Sequence, residues 1–154
     1  MFDRSNPAIG QSSQECLYQG PGAEPEYVTA DIPWNVEGAA LSKDRSRMAF
    51  TANEGGRSAL YLLDPATREY RAVDGIPVGL IGGLEFSDDG RKLALNINAA
   101  DSPTDVWVMD LPDGKVTRWT YSEVGGLNTE RFVAPELIHY PTFDIDESGS
   151  PRMI

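Results

Sequence analysis

Apolar residues along this chain fall in short bursts, each closed by glycine, proline or aspartate. Leu60-Tyr61-Leu62-Leu63 and Val106-Trp107-Val108-Met109 are such bursts. They are rich in the branched and aromatic residues that suit a pleated surface. No window keeps apolar residues at a 3.6-residue spacing for three turns, so helices are not expected. The pattern predicts strands over 36–41, 47–52, 59–63 and 70–73, then over 81–86, 92–97, 105–110 and 116–119. Gly55-Gly56, Asp64-Pro65, Asp89-Gly90 and Asp113-Gly114 supply turns between them, because glycine accepts positive φ and aspartate bonds nearby amides.

The two groups of strands are copies of one unit. Val36 to Phe50 aligns with Ile81 to Leu95 at an offset of 45 (Ser42 to Ser87), and serine, aspartate, a basic residue and alanine recur in register. Leu60 to Asp64 aligns with Val106 to Asp110 at an offset of 46. A weaker echo, Glu26-Tyr27 then Asp31-Ile32-Pro33, resembles Glu69-Tyr70 then Asp74-Gly75-Ile76-Pro77. Four strands in about 45 residues match the blade of a β-propeller. The expected fold class is therefore all-β, a partial β-propeller of four-stranded antiparallel blades. The expected division is 1–33, the remnant of a preceding blade; 34–77 and 78–121, one blade repeat each; and 122–154, final strands and a linker. Blades bury both faces, so Trp34, Trp107 and Trp119 read as inter-blade core in preference to ligand-stacking surfaces. Propellers close with at least four blades. This chain holds material for about three, so the reading expects a longer protein or self-association through exposed blade edges, and only marginal stability alone.

Composition narrows the partners. The 154 residues carry a formal net charge of -11, which disfavours nucleic acid and otherwise reads as a solvated surface. No apolar run approaches the roughly 18 residues that span a bilayer, so no membrane role is expected. Cys16 is the one cysteine, which fits a reducing compartment. Met1 to Ser5 lacks the apolar core of a signal peptide. The expected location is cytoplasmic, with the periplasm open if the natural N-terminus lies upstream.

Phe86-Ser87-Asp88-Asp89-Gly90-Arg91-Lys92-Leu93-Ala94-Leu95 resembles the repeat signature of TolB-like propellers, with Asp88 where proline is usual. Ile32 to Glu37, Val78 to Leu84, Asp101 to Trp107 and Thr117 to Leu127 resemble the late blades of prolyl-oligopeptidase-family serine peptidases. Pro135 to Asp144 resembles that family's exit toward its α/β-hydrolase domain, although Ile145 to Ser150 looks slightly extended. The resemblance covers roughly residues 26 to 154. It implies a propeller that caps an active site and admits short peptides, with the catalytic groups in a hydrolase domain absent from these residues. The implied partners are that missing domain, the remaining blades and peptide substrates. The alternative is a TolB-like protein-interaction module.

Catalytic chemistry is not expected within the chain. A hydrolase of the α/β type needs G-x-S-x-G on a strand-to-helix turn, and no such pentapeptide occurs. His139, the single histidine, lies in a strand-like run and reads as structural. Nothing near Cys16 suggests an activated thiolate. One Cys and one His cannot build a zinc site, and no phosphate-binding glycine loop occurs. Carboxylate pairs for glycoside chemistry stay open, since 24 acidic residues give many chance pairs. Asp144-Ile145-Asp146-Glu147-Ser148-Gly149 matches the opening of a calcium loop, but the twelfth-position glutamate would fall beyond Ile154 and Pro141 interrupts the incoming segment. It reads as a solvated turn. Asp44 and Asp89 read as turn-capping residues. No residue is assigned a catalytic, cofactor-binding or metal role.

Overall fold

The computed structural model describes residues 16–17, 24, 26–133, 135–136, 138–145 and 149–153. The chain forms β1 (Cys16–Leu17), β2 (Glu26–Tyr27), β3 (Asn35–Leu41), β4 (Met48–Glu54), β5 (Arg57–Leu63) and β6 (Tyr70–Ala72). It continues with β7 (Leu80–Phe86), β8 (Lys92–Ala99), β9 (Ser102–Asp110), β10 (Val116–Arg118), β11 (Pro141–Ile145) and β12 (Pro151–Met153). A single 3-10 turn at Thr129–Arg131 is the helical element among the described residues. Strands β3 to β6 form one antiparallel meander and β7 to β10 another, each in sequence order. Two short hairpins, β1 with β2 and β11 with β12, complete the pairing. The two four-stranded sheets fall where the repeat predicts them.

The sheets pack face to face because their faces differ in bulk. In β8, Leu93, Leu95 and Ile97 point to one side and are almost wholly buried. That side covers Ala49 and Leu60 of the first sheet, forming one core with Ile81 and Met109. Strand β4 is buried along both faces. Its other side carries Met48, Phe50 and Ala52, packed with Ile32 and Val36. Phe50 stacks on Tyr61 at 4.9 Å, and Tyr70 meets both rings edge-on. Burial of each large side chain contributes about 1.5–3 kcal/mol, so stacking supplies most of the stabilisation.

Backbone bonds tie the sheets together. Ser58 N–H donates to Gly79 O at 3.0 Å, and Ile81 N–H donates to Ser58 Oγ at 3.0 Å. Gly79 is required there, since a Cβ would lie 2.5 Å from Asn98 O. Between the outer turns, Arg47 Nη1 donates to Gly90 O at 3.1 Å.

The turns repeat atom for atom. Ser42 Oγ donates to Asp44 Oδ1 at 2.7 Å and accepts from Arg47 N–H at 3.0 Å. Ser87 Oγ donates to Asp89 Oδ1 at 2.6 Å and accepts from Lys92 N–H at 2.9 Å. These bonds bear out the capping roles of Asp44 and Asp89. The Ser42 hydroxyl, with Ser46 behind it, holds the Asp44 carboxyl down at about 2. One position differs. Gly90 sits at φ 65, and its counterpart Arg45 is forced to φ 62. The later turn repeats the contrast, with Arg68 at φ 66 where the second sheet has Gly114 at φ 71.

Two tryptophan expectations are corrected. Trp34 and Trp119 are exposed, at 44% and 60%. Trp34 precedes β3 and Trp119 follows β10, each just outside a strand, although the Trp119 amide still donates to Val106 O at 2.8 Å. Trp107 stands mid-strand opposite Leu95 and packs on the inter-sheet core.

Arg45 in the left-handed region should cost about 1 kcal/mol, partly offset by its lower unfolded-state entropy. Arg45→Gly should therefore raise stability by about 0.5 kcal/mol, and Gly90→Ala should lower it by about 1 kcal/mol. Urea midpoints of the two variants would move in opposite directions; movement in the same direction would contradict the turn analysis.

Candidate functional site

The densest polar arrangement is centred on Asp105, an acidic residue in the middle of strand β9, just before its apolar run Val106 to Met109. Its side chain shares the packed face with its cross-strand partner Ile97, and the residue is 1% exposed. A carboxylate buried there needs donors, and the chain supplies them from one extended stretch. Arg118 Nε donates to Asp105 Oδ2 at 3.2 Å, and Arg118 Nη2 bonds the same oxygen. Thr120 Oγ1 donates to Oδ1 at 2.8 Å. Ser122 donates to Oδ1 from its amide at 2.9 Å and from its hydroxyl at 3.1 Å. Residues two apart in an extended chain share one side, which is why 118, 120 and 122 converge.

Aromatic rings close the arrangement. The Arg118 guanidinium lies 4.7 Å from the Tyr121 ring centre and 5.9 Å from that of Trp107. Burial pushes the Asp105 carboxyl up, but the Arg118, Thr120 and Ser122 donors outweigh it and hold it at about 2. With both oxygens engaged, the carboxylate has little capacity left for proton transfer or metal binding. It acts as a clasp, fixing the chain where it leaves the second sheet. Sequence reasoning did not single it out. The available signal was a charge at the head of an apolar burst, followed downstream by Arg118, Thr120 and Ser122 at alternate positions.

A second concavity lies among the outer turns of the first sheet, lined by Asp31, Arg47, Asp64, Arg68 and Tyr70. Two of its polar groups are engaged: Arg68 Nε stands 2.7 Å from Oε1 of Glu26, which lies outside the lining, and Tyr70 bonds Asp31. Burial first, then the Asp31 carboxylate, raises the Tyr70 hydroxyl to about 12.

The residues weighed from sequence stay apart from these features. His139 is exposed, in the irregular segment before β11, so the reading of it as a structural strand residue is corrected. Its neighbours Ile138 and Tyr140 are exposed too. Cys16 has its backbone in β1, and its side chain is outside the described residues. Residues 146–148 of the candidate calcium loop also lie outside the described residues. Among the described residues, no three His, Cys, Asp or Glu side chains are placed to share a metal ion. No helix among them is long and apolar enough to cross a membrane.

Stacked four-stranded meanders define the class: these sheets are successive blades of a β-propeller. No family model matches the chain. Solved propellers do match in fold. TolB from Acinetobacter baumannii superposes with a TM-score of 0.63 at 24% identity, over 77% of this chain and 29% of that one. The AtxE2 isopeptidase gives 0.64 at 16%, over 96% and 22%. Dipeptidyl peptidase 4 of Porphyromonas gingivalis gives 0.60 at 18%, over 94% and 20%. The chain thus spans between a fifth and three-tenths of the length of these structures.

A carboxyl held below its ordinary 3.8 adds stability that is complete above that value and lost as the pH falls toward about 2. Asp105→Asn keeps the shape but removes the charge that Arg118 faces. The variant should melt several degrees lower at pH 7, and it should lose less than the parent between pH 4 and pH 2. Parallel pH profiles of melting temperature would show that the clasp is not the source.

Proposed function

We propose that this chain is the propeller portion of a prolyl-oligopeptidase-like serine peptidase, where its blades screen a peptide-hydrolysing site and restrict entry to short peptides. The observation that carries this reading is the stretch past the second blade. Pro135 to Asp144 resembles the family's passage into a hydrolase domain. Large apolar side chains there stand in solvent, with Phe143 96% exposed and Ile138 66% exposed. Such a row of exposed apolar residues suits a segment that packs on a further domain. The fold likeness to an isopeptidase and a dipeptidyl peptidase supports the same reading. In it the chain has no catalytic role of its own, the hydrolase domain and further blades are its partners, and the location is cytoplasmic.

A second reading has its own support. Phe86 to Leu95 carries the TolB-like signature, and TolB from A. baumannii is the most identical of the three structures compared, at 24%. In that case the blades bind a protein partner and serve no peptidase.

A fluorophosphonate probe, which marks activated serines, separates the two readings. The chain alone should stay unlabelled, and the complete product of its gene should be labelled. Labelling of the chain alone would overturn the non-catalytic role. An unlabelled gene product whose sequence lacks G-x-S-x-G would favour the interaction module.

A further inference from the structure

The chain contains three Asp-Gly pairs: Asp74-Gly75, Asp89-Gly90 and Asp113-Gly114. Glycine leaves the amide after an aspartate unshielded by a side chain, so that nitrogen reaches the aspartate Cγ and closes a five-membered imide. All three aspartates are exposed. Space does not separate the pairs, since a Cβ added at any of the three glycines would meet nothing within 4 Å. Hydrogen bonding does separate them.

At two pairs both reacting groups are held. Gly90 N–H donates to Ser87 O at 2.8 Å, and Asp89 Oδ1 accepts from Ser87 Oγ at 2.6 Å and from Arg91 N–H at 3.0 Å. Gly114 N–H donates to Asp110 O at 2.7 Å, and Asp113 Oδ1 accepts from Lys115 N–H at 2.9 Å. These bonds must break before the ring closes. Asp74-Gly75 lies instead in the connection from β6 to β7, where no hairpin turn demands such bonds. Among the described residues, neither the Asp74 carboxylate nor the Gly75 N–H has a hydrogen-bond partner.

We infer that Asp74-Gly75 is a site of spontaneous covalent modification, where the aspartate isomerises to isoaspartate and loosens the joint between the two sheets. The Gly75 nitrogen bonds to Asp74 Cγ, the Cγ–OH bond breaks, and the hydroxyl leaves with the amide proton as water. Water then opens the imide. Addition at the Asp74 main-chain carbonyl routes the backbone through Cβ and Cγ and leaves that carbonyl as a free carboxylate. The main chain gains one methylene, and its charge is unchanged. The added length enters between two anchors. Val73 N–H donates to Leu60 O at 2.8 Å, and Val73 and Ile76 both pack on the inter-sheet core. A longer link shifts Ile76 against that core and weakens the contact between the sheets. The inference rests on the hydrogen bonding of the connection and holds under either reading of the function.

The test ages the 154-residue chain at neutral pH, folded and in urea. Each site is followed with a protease that cuts before aspartate and not before isoaspartate. In the folded chain the cut before Asp74 should be lost at least about fivefold faster than the cuts before Asp89 and Asp113, since those sites must first open their turns. In urea the three rates should converge. A folded-chain rate at Asp89 or Asp113 equal to that at Asp74, or the same ranking in urea, would overturn the assignment of the site. Ageing should also lower the urea midpoint of the parent and leave that of Asp74→Glu unchanged, because glutamate needs a larger ring that closes slowly. An aged parent that carries isoaspartate in place of Asp74 and keeps its midpoint would overturn the loosening of the joint.

Discussion

The structure depends on one contact, the seating of Leu93, Leu95 and Ile97 on the small-residue face that carries Ala49 and Leu60. A lone four-stranded meander buries too little apolar surface to offset the entropy of ordering it. Stacking a second sheet removes that surface from water, and the alternation of bulk decides how closely the sheets approach. Alanine at positions 49 and 94 keeps one face flat enough to receive branched side chains from the next. The same contact explains why β4 is buried on both sides while β8 alternates, since among the described residues the first sheet is covered on both faces and the second on one.

The other interactions serve this stacking. Ser58, Gly79 and Ile81 set the spacing between sheets through one backbone bond and one to the Ser58 hydroxyl, while within the second sheet the approach of Gly79 to Asn98 leaves no room for a side chain. The aspartate turns at one rim fix the lengths of the hairpins, so side-chain register is kept from one sheet to the next. At the other rim, Asp105 gathers Arg118, Thr120 and Ser122 and sets the direction in which the chain departs. The surface ion pairs, such as Lys43 with Asp88, are well exposed and contribute little.

The one buried carboxylate among the described residues is saturated by donors, and the single histidine stands in solvent before β11. What the chain offers is surface: an uncovered blade face, and an apolar stretch beyond the second sheet. Both are surfaces of the kind that pack against further protein.

Much of the fold was legible in the sequence, because a repeat is a local signal written twice. The strands, their order and the roles of Asp44 and Asp89 follow from hydrophobic period, turn residues and a constant offset, all readable within a few residues of each position. The mismatch of Arg45 with Gly90 was visible too, although only the backbone angles show that both adopt the left-handed conformation. Tertiary structure decided the rest. Trp34 and Trp119 look like core by type, but burial depends on whether a neighbouring sheet reaches them, and none among the described residues does. Asp105 looks like one acid among 24, yet it becomes the centre of a network once β10 and the segment after it are paired alongside β9. Period and composition report what a residue favours, whereas partners brought together across tens of residues are specified only when the sheets are stacked.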